Sequence, residues 1–526
     1  EAILADNSAK VVNAGRIVVK NAYGMRVGTQ ATATIENAGT IIVEEQGVGM
    51  ELGGGDKSVN SVATNNGSII VGDIAKGKYG HGVLIKDAKD VVLNNNGLIQ
   101  AGEGATAIDV QLKNETSATI NLGEKSQIDG LIKIGEGTKV ALNAKGMTGK
   151  LKVQAADGTT TLNIDSGSDV TLADRQGSVY ESVNIADGKL TASIWHDTNE
   201  YGEKKEQLQN DNKFKNVTVG EKGVFNITKL NSGGDKDQTK TNAKPHNTLL
   251  IKDMKLTLDG GALQVAGQNY TGALKVGMSS ENGADTLTIN AGNYNFESLK
   301  VGNASNNVVT VAGGSLTVGD VEITGKRHGK LALTGGTTSV NGSFTTVQGA
   351  IELNGGTLVT SGANLFAKGE EADAEYATTD AWKHVTATKG VVELTDTGFE
   401  YSLGDLKKGQ ELLKQDGSVK LVLNGTFKLG KNEKLDAGSV SNLVLADQTG
   451  TASDSVTEAF KVTAATTLGA LDFTAVTESE TNKNADSIAL GNGTNTLTLA
   501  GNGGDVFKNL GAKVTKITTG DLVLGT

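Results

Sequence analysis

One short phrase returns between residues 287 and 359 at nearly fixed spacing, as LTINAGNYNF, VTVAGGSLTV, LALTGGTTSV and IELNGGTLVT. Each copy alternates apolar and polar residues, crosses a pair of small residues and alternates again, as in Val309, Val311, Gly313, Gly314, Leu316 and Val318. Period-two alternation places successive side chains on opposite faces of a strand, and glycine between two such runs supplies the positive φ of a sharp corner. A third alternating pair follows, Leu299 with Val301 and then Val321 with Ile323, so each unit offers three short faces. The last glycines of the phrases, Gly292, Gly314, Gly336 and Gly356, lie 22, 22 and 20 residues apart. An earlier copy, LTLDGGALQV, ends its pair at Gly261, 31 residues upstream of Gly292.

A unit of this size cannot bury an apolar face alone, whereas stacked units bury a continuous core. The repeat therefore predicts an all-β fold, a parallel β-solenoid in which each strand pairs with its equivalent one coil away at about 4.8 Å; roughly twenty coils would give a rod on the order of 100 Å. A β-sandwich is the alternative for alternating, glycine-rich text, but its strands run longer and its turns rarely recur at one interval. Three segments are expected: N-terminal coils over 1–180, central coils with Gly-Gly corners over 181–360, and a less regular C-terminal solenoid over 361–526. Interruptions fall near 195–216, 229–248 and 366–386.

Composition agrees. The chain has 71 glycines and a single proline, and proline is excluded wherever nearly every N–H enters a ladder. Pro245 lies in the longest polar interruption, where the stack is not required to continue. Cysteine is absent, which removes disulfides, thiolate metal sites and cysteine nucleophiles and suits a chain exported unfolded. A net charge of −11 argues against nucleic acid as a partner, and no apolar run is long enough for a membrane span. No signal peptide is visible. Glu1 and Thr526 both fall within strand-like text, as expected of a segment cut from a longer chain.

The first 180 residues use another dialect. Asn-x-Gly-x-Ile recurs at Asn13, Asn37, Asn65 and Asn95, each followed by a second phrase: Gly24-Met25-Arg26-Val27, Gly49-Met50-Glu51-Leu52, Gly82-Val83-Leu84-Ile85 and Ala107-Ile108-Asp109-Val110. Equivalent asparagines on successive coils would form a hydrogen-bonded ladder at a corner; alternatively, asparagine is there because it tolerates turn geometry. A short helix is expected near 202–209, an amphipathic one within 403–417, and a capping box at Ser455 and Glu458. The interruptions carry both tryptophans of an aromatic-poor chain, so Trp195, Tyr201, Tyr376 and Trp382 are the candidate partner-binding anchors, unless they pack down on the coils. The second candidate surface is the uncharged outer face of the central coils at Thr288, Asn290, Thr310, Thr317, Thr334 and Asn354.

Catalytic signatures are sparse. His81, His196, His246, His328 and His384 do not fall at metal-ligand spacing, and no G-x-S-x-G nucleophile motif occurs. Carboxylate pairs for glycoside cleavage can arise on adjacent coils, but no aromatic-rich cleft accompanies them. The stretch 490–505 echoes the calcium-binding nonapeptide once, with Asn495 where that repeat has Asp.

Phrases such as VTVAGGSLTV and IELNGGTLVT, with NAGTIIV and NNGSIIV, resemble passenger domains of Gram-negative type V autotransporters, particularly adhesins of the AIDA and antigen 43 kind and fusobacterial-type passengers. The resemblance covers about residues 11–360 well and the remainder loosely; filamentous haemagglutinins, S-layer proteins and phage tailspikes share similar text. It implies a right-handed, three-sided β-helix displayed outside the cell and anchored in the outer membrane through a C-terminal barrel that this sequence lacks. It further implies a non-enzymatic adhesin without cofactor or metal, whose partner is a host cell-surface protein or glycan, or another copy of itself on a neighbouring cell. Neither nucleic acid nor membrane insertion by this segment is expected. A self-associating matrix or S-layer scaffold and a polysaccharide-active β-helix enzyme are the alternatives.

Overall fold

The computed structural model describes residues 2–401, apart from 29–31, 54–59, 112–116, 195–211, 229–247, 278–283, 303–305, 325–328, 367–380 and 396–399 and residues 88, 138, 175 and 348; beyond 401 it describes strands alone. The chain is an all-β parallel solenoid, and it divides into two compact units, Glu1–Tyr270 and Thr271–Thr526. Period-two text becomes strand throughout: Thr34–Asn37, Val62–Asn65, Ser68–Val71 and Ser117–Leu122 each alternate half-exposed and buried positions. Alternation of this kind leaves one side of every strand for the core and the other for solvent.

In the first unit three ladders run side by side. The first face stacks Lys10–Asn13, Thr34–Asn37, Val62–Asn65, Val91–Asn95, Ser117–Leu122 and Lys139–Ala144 in parallel. It continues across residue 180 through Thr160–Ile164, Val179–Ile185, Asn216–Gly220 and Lys255–Asp259. The second face stacks 40–43, Ser68–Val71, Leu98–Ala101 and Gln127–Asp129. The third stacks 47–53, Gly80–Lys86, Thr106–Gln111 and Leu131–Ile134. Equivalent core residues fall on one another, so that Ile35, Ala63, Leu93, Ile120, Leu142, Leu162, Val183 and Val217 form one buried column. Tyr180, Phe214 and Phe225 pack together in the core, with successive ring centroids 5.3 Å and 5.9 Å apart. Burial holds the Tyr180 phenol well above its ordinary pKa.

The second unit carries the phrases around which the sequence is built. Leu287, Val309, Leu331, Ile351 and Val385 pair in succession, and Leu299 over Val321 over Phe344 makes the third face. Past residue 360 the ladders go on through Val385–Leu394, Val419–Lys428 and Leu443–Thr451. The expected helices near 202–209, within 403–417 and after Ser455 lie outside the described residues, as does the nonapeptide-like loop at 491–495.

The two dialects turn their corners by different physics. In the Gly-Gly phrase one glycine of the pair bends the chain, the second at Gly314 (φ +66°) and Gly336 (φ +62°) and the first at Gly260 (φ +100°) and Gly355 (φ +125°), while a Cβ on Gly313 would sit 2.2 Å from the Asn290 carbonyl oxygen one coil away. In the Asn-x-Gly phrase the glycine backbone is not left-handed. A Cβ on Gly67 would lie 2.0 Å from the carbonyl oxygen of Gly39, the stacked glycine of the preceding coil, so glycine is needed there for close approach alone.

Candidate functional site

A solenoid presents its outer faces as columns, one residue per coil, and two asparagine columns are central here. The inner one runs inside the corner after the first face. Asn13 Nδ2 donates to Asn37 Oδ1, Asn37 to Asn65 and Asn65 to Asn95, each at 2.8 Å, and Asn95 Nδ2 then donates to Ser126 Oγ at 2.6 Å. The amides of Asn37 and Asn65 also donate to the carbonyl oxygens of Ser68 and Leu98. This is the ladder reading of the Asn-x-Gly repeat, and the backbone acceptors fix which way every amide points.

The outer column faces solvent one register position away. Asn121 Nδ2 donates to Asn94 Oδ1 at 2.8 Å, Asn143 to Asn121 at 2.8 Å, Asn163 to Asn143 at 2.7 Å and Asn184 to Asn163 at 2.8 Å. It donates towards the N-terminal coils, opposite to the inner column. A second outward column of small residues runs beside it through Val92, Thr119, Ala141, Thr161 and Ser182. Neither column contains an acid or a base from Val92 to Asn184, giving one uncharged strip that is bordered by the exposed Lys139 and by Glu181, 3.1 Å from Lys215. Sequence reasoning missed it, although its signal was present as apolar-Asn-apolar at Ile120-Asn121-Leu122, Leu142-Asn143-Ala144, Leu162-Asn163-Ile164 and Val183-Asn184-Ile185.

In the second unit the expected outer positions do point outward. Thr288, Thr310 and Thr317 are half-buried, while Asn290, Thr334 and Asn354 are exposed. Charged pairs lie on the same coils, Lys300 with Glu322 at 3.0 Å and Lys330 with Glu352 at 2.8 Å. These surface pairs contribute little stability.

The anchor residues fare differently. Trp195, Tyr201 and Tyr376 lie outside the described residues. Trp382 is placed, and it corrects the expectation of an exposed anchor: it is only 7% exposed, in the short 3-10 turn Ala381–His384. His384 Nδ1 sits 2.9 Å from the Gly349 carbonyl oxygen and ties that turn to the coils, with Lys383 Nζ 5.7 Å from the indole centroid. An indole has too much apolar area to leave in water when a coil surface lies beneath it.

The third face of the first unit carries a buried polar group that sequence reasoning did not single out. Arg26, Glu51, Leu84, Asp109 and Lys133 occupy one outward column, yet Glu51 and Asp109 are 2% and 3% exposed. Arg26 Nε lies 3.5 Å from Glu51 Oε2, and His81 Nδ1 lies 3.4 Å from Asp109 Oδ2, which accepts from Gln111 Nε2 at 2.7 Å. Burial lowers the His81 pKa, Asp109 raises it in opposition, and Lys133 lowers it further. The net direction is down, so the imidazole is neutral at pH 7. No family model, curated protein or solved structure matches this chain.

Proposed function

We propose that this chain is a non-enzymatic bacterial surface adhesin of the autotransporter-passenger kind, whose coils make contact through their sides. The observation that carries the reading is the uncharged face from Val92 to Asn184. A molecule of net charge −11 repels its copies, and this face lets two of them approach without bringing like charges together. Each hydrogen bond made across it is worth about 1 kcal/mol or less. The face spans about five coils of about 4.8 Å, a patch well below the roughly 800 Å² per partner of a stable complex. Contact therefore depends on many copies displayed on opposing surfaces, as between neighbouring cells or a cell and its host.

The test is to couple the chain to beads and score clumping and attachment to cells, with Ala141→Lys and Thr161→Lys together on the uncharged face and Gln100→Lys, exposed on the second face, as control. Loss of clumping in the double variant alone is expected. Unchanged clumping in that variant would remove the face from the reading.

A further inference from the structure

Between the second and third faces of one coil, the loop 72–79 departs from the stack and is pinned along its length. Ile74 N–H donates to the Glu103 carbonyl at 2.8 Å, Lys78 N–H to the Ala75 carbonyl at 3.0 Å across a turn with Gly77 at φ +86°, and the Tyr79 carbonyl accepts from Gly47 N–H at 3.2 Å. The loop ends in Tyr79, 53% exposed, the most exposed large apolar side chain among the described residues. One face of its ring stacks on His81, with centroids 5.8 Å apart and planes at 22°. His81 is itself buried against Asp109, so the ring rests on a fixed support while more than half of the Tyr79 side chain stays exposed.

An exposed ring without apolar walls is a poor anchor for a hydrophobic side chain, which needs a pocket. The loop that carries it and the turn bonded to that loop are polar: Asp73, Lys76, Lys78 and Glu103 are all exposed. A flat, immobilised aromatic face with a polar rim suits a sugar, whose C–H groups carry partial positive charge towards the negative π face while its hydroxyls reach the rim. Asn21, Lys20 and, more weakly, the charge of Lys78 hold the Glu45 carboxyl below its ordinary pKa, whereas Lys76 on the same turn has no ion pair among the described residues. We propose that Tyr79 is the platform of a glycan site that takes a pyranose bearing a carboxylate, its C–H face on the phenol ring and its carboxylate towards Lys76. This rests on the adhesin reading and gives it a ligand class distinct from self-contact.

The experiment is saturation-transfer NMR on the full chain with sialyllactose, and with lactose as the uncharged arm. Sialyllactose binding is expected to weaken by about tenfold or more in Tyr79→Ala and to persist in Tyr79→Phe. Lys76→Glu weakens sialyllactose several-fold and leaves lactose unchanged. Circular dichroism identical to wild type confirms that each variant folds. Absence of binding to both sugars, or Tyr79→Ala binding as wild type does, overturns the site; equal binding of lactose and sialyllactose overturns the carboxylate assignment. Beads that clump or attach without binding either sugar refute this site and leave the adhesin reading standing, whereas beads that neither clump, attach nor bind either sugar refute both.

Discussion

Asn65 donates from Nδ2 to Asn95 Oδ1 at 2.8 Å across 30 residues of chain, and neither side chain reaches solvent. The bond is one rung of a ladder in which each buried amide depends on the next. Asn65→Leu strands Asn95 Oδ1 and removes one of the two acceptors of Asn37, at a cost of about 2–4 kcal/mol. Asn143→Ala, in the half-exposed outer column, costs about 1 kcal/mol or less. Urea unfolding followed by circular dichroism separates the two.

The corner glycines give a second contrast. Gly67→Ala brings a Cβ against the Gly39 carbonyl oxygen, which already accepts from Ser68 N–H. Because backbone must move on both coils, a loss of about 3 kcal/mol or more is expected. Gly15 is the same position in the first coil, and a Cβ added there would meet nothing within 4 Å. Gly15→Ala should change stability by no more than about 0.5 kcal/mol, as thermal melts of the two variants will show.

His81 makes stability depend on pH. Its folded-state pKa lies below the ordinary 6.5, so the unfolded chain binds more protons between the lowered value and 6.5. Its contribution is fully present above that window and declines as pH falls through it. Between pH 7.5 and pH 5.5 the wild type should lose more denaturant stability than His81→Gln. Parallel pH curves for the two proteins would contradict the assignment.

Trp382 is a packing residue in this structure. With Trp195→Phe as background, its fluorescence should be blue-shifted and weakly quenched by iodide. Trp382→Ala should cost about 3–5 kcal/mol, while Trp382→Phe retains attachment of coated beads to cells. Loss of attachment in Trp382→Phe with stability intact would return the indole to the contact surface.

Much of the fold was legible because strand alternation and coil spacing are both written in the chain. Val309, Val311, Leu316 and Val318 announce their faces by period two, and the return of the phrase at Leu331 announces the partner. The asparagine ladder was legible only as one of two readings, since Asn-x-Gly serves a turn as well as a ladder; the stacked register of Asn37 on Asn65 decides it. The outer face from Val92 to Asn184 and the burial of Glu51 and Asp109 were harder to read. They depend on which outward positions fall side by side and which are covered, and periodicity within a single coil carries neither. Trp382 misled for a related reason: composition reports that an indole is present, while its 7% exposure comes from tertiary packing.

Leu287, Val309 and Leu331 pair in turn at the same interval of 22 residues, with Val311 and Leu333 keeping the same register. Excising residues 309–330 would therefore set Leu331 directly against Leu287 and restore every neighbouring pair. Such a chain can gain or lose coils as whole modules by recombination within one dialect. Exchange between dialects would instead join a left-handed glycine corner to one that turns by close contact. Viable length variants should thus differ by whole coils of matching type, with each junction preserving the corner chemistry of its neighbours.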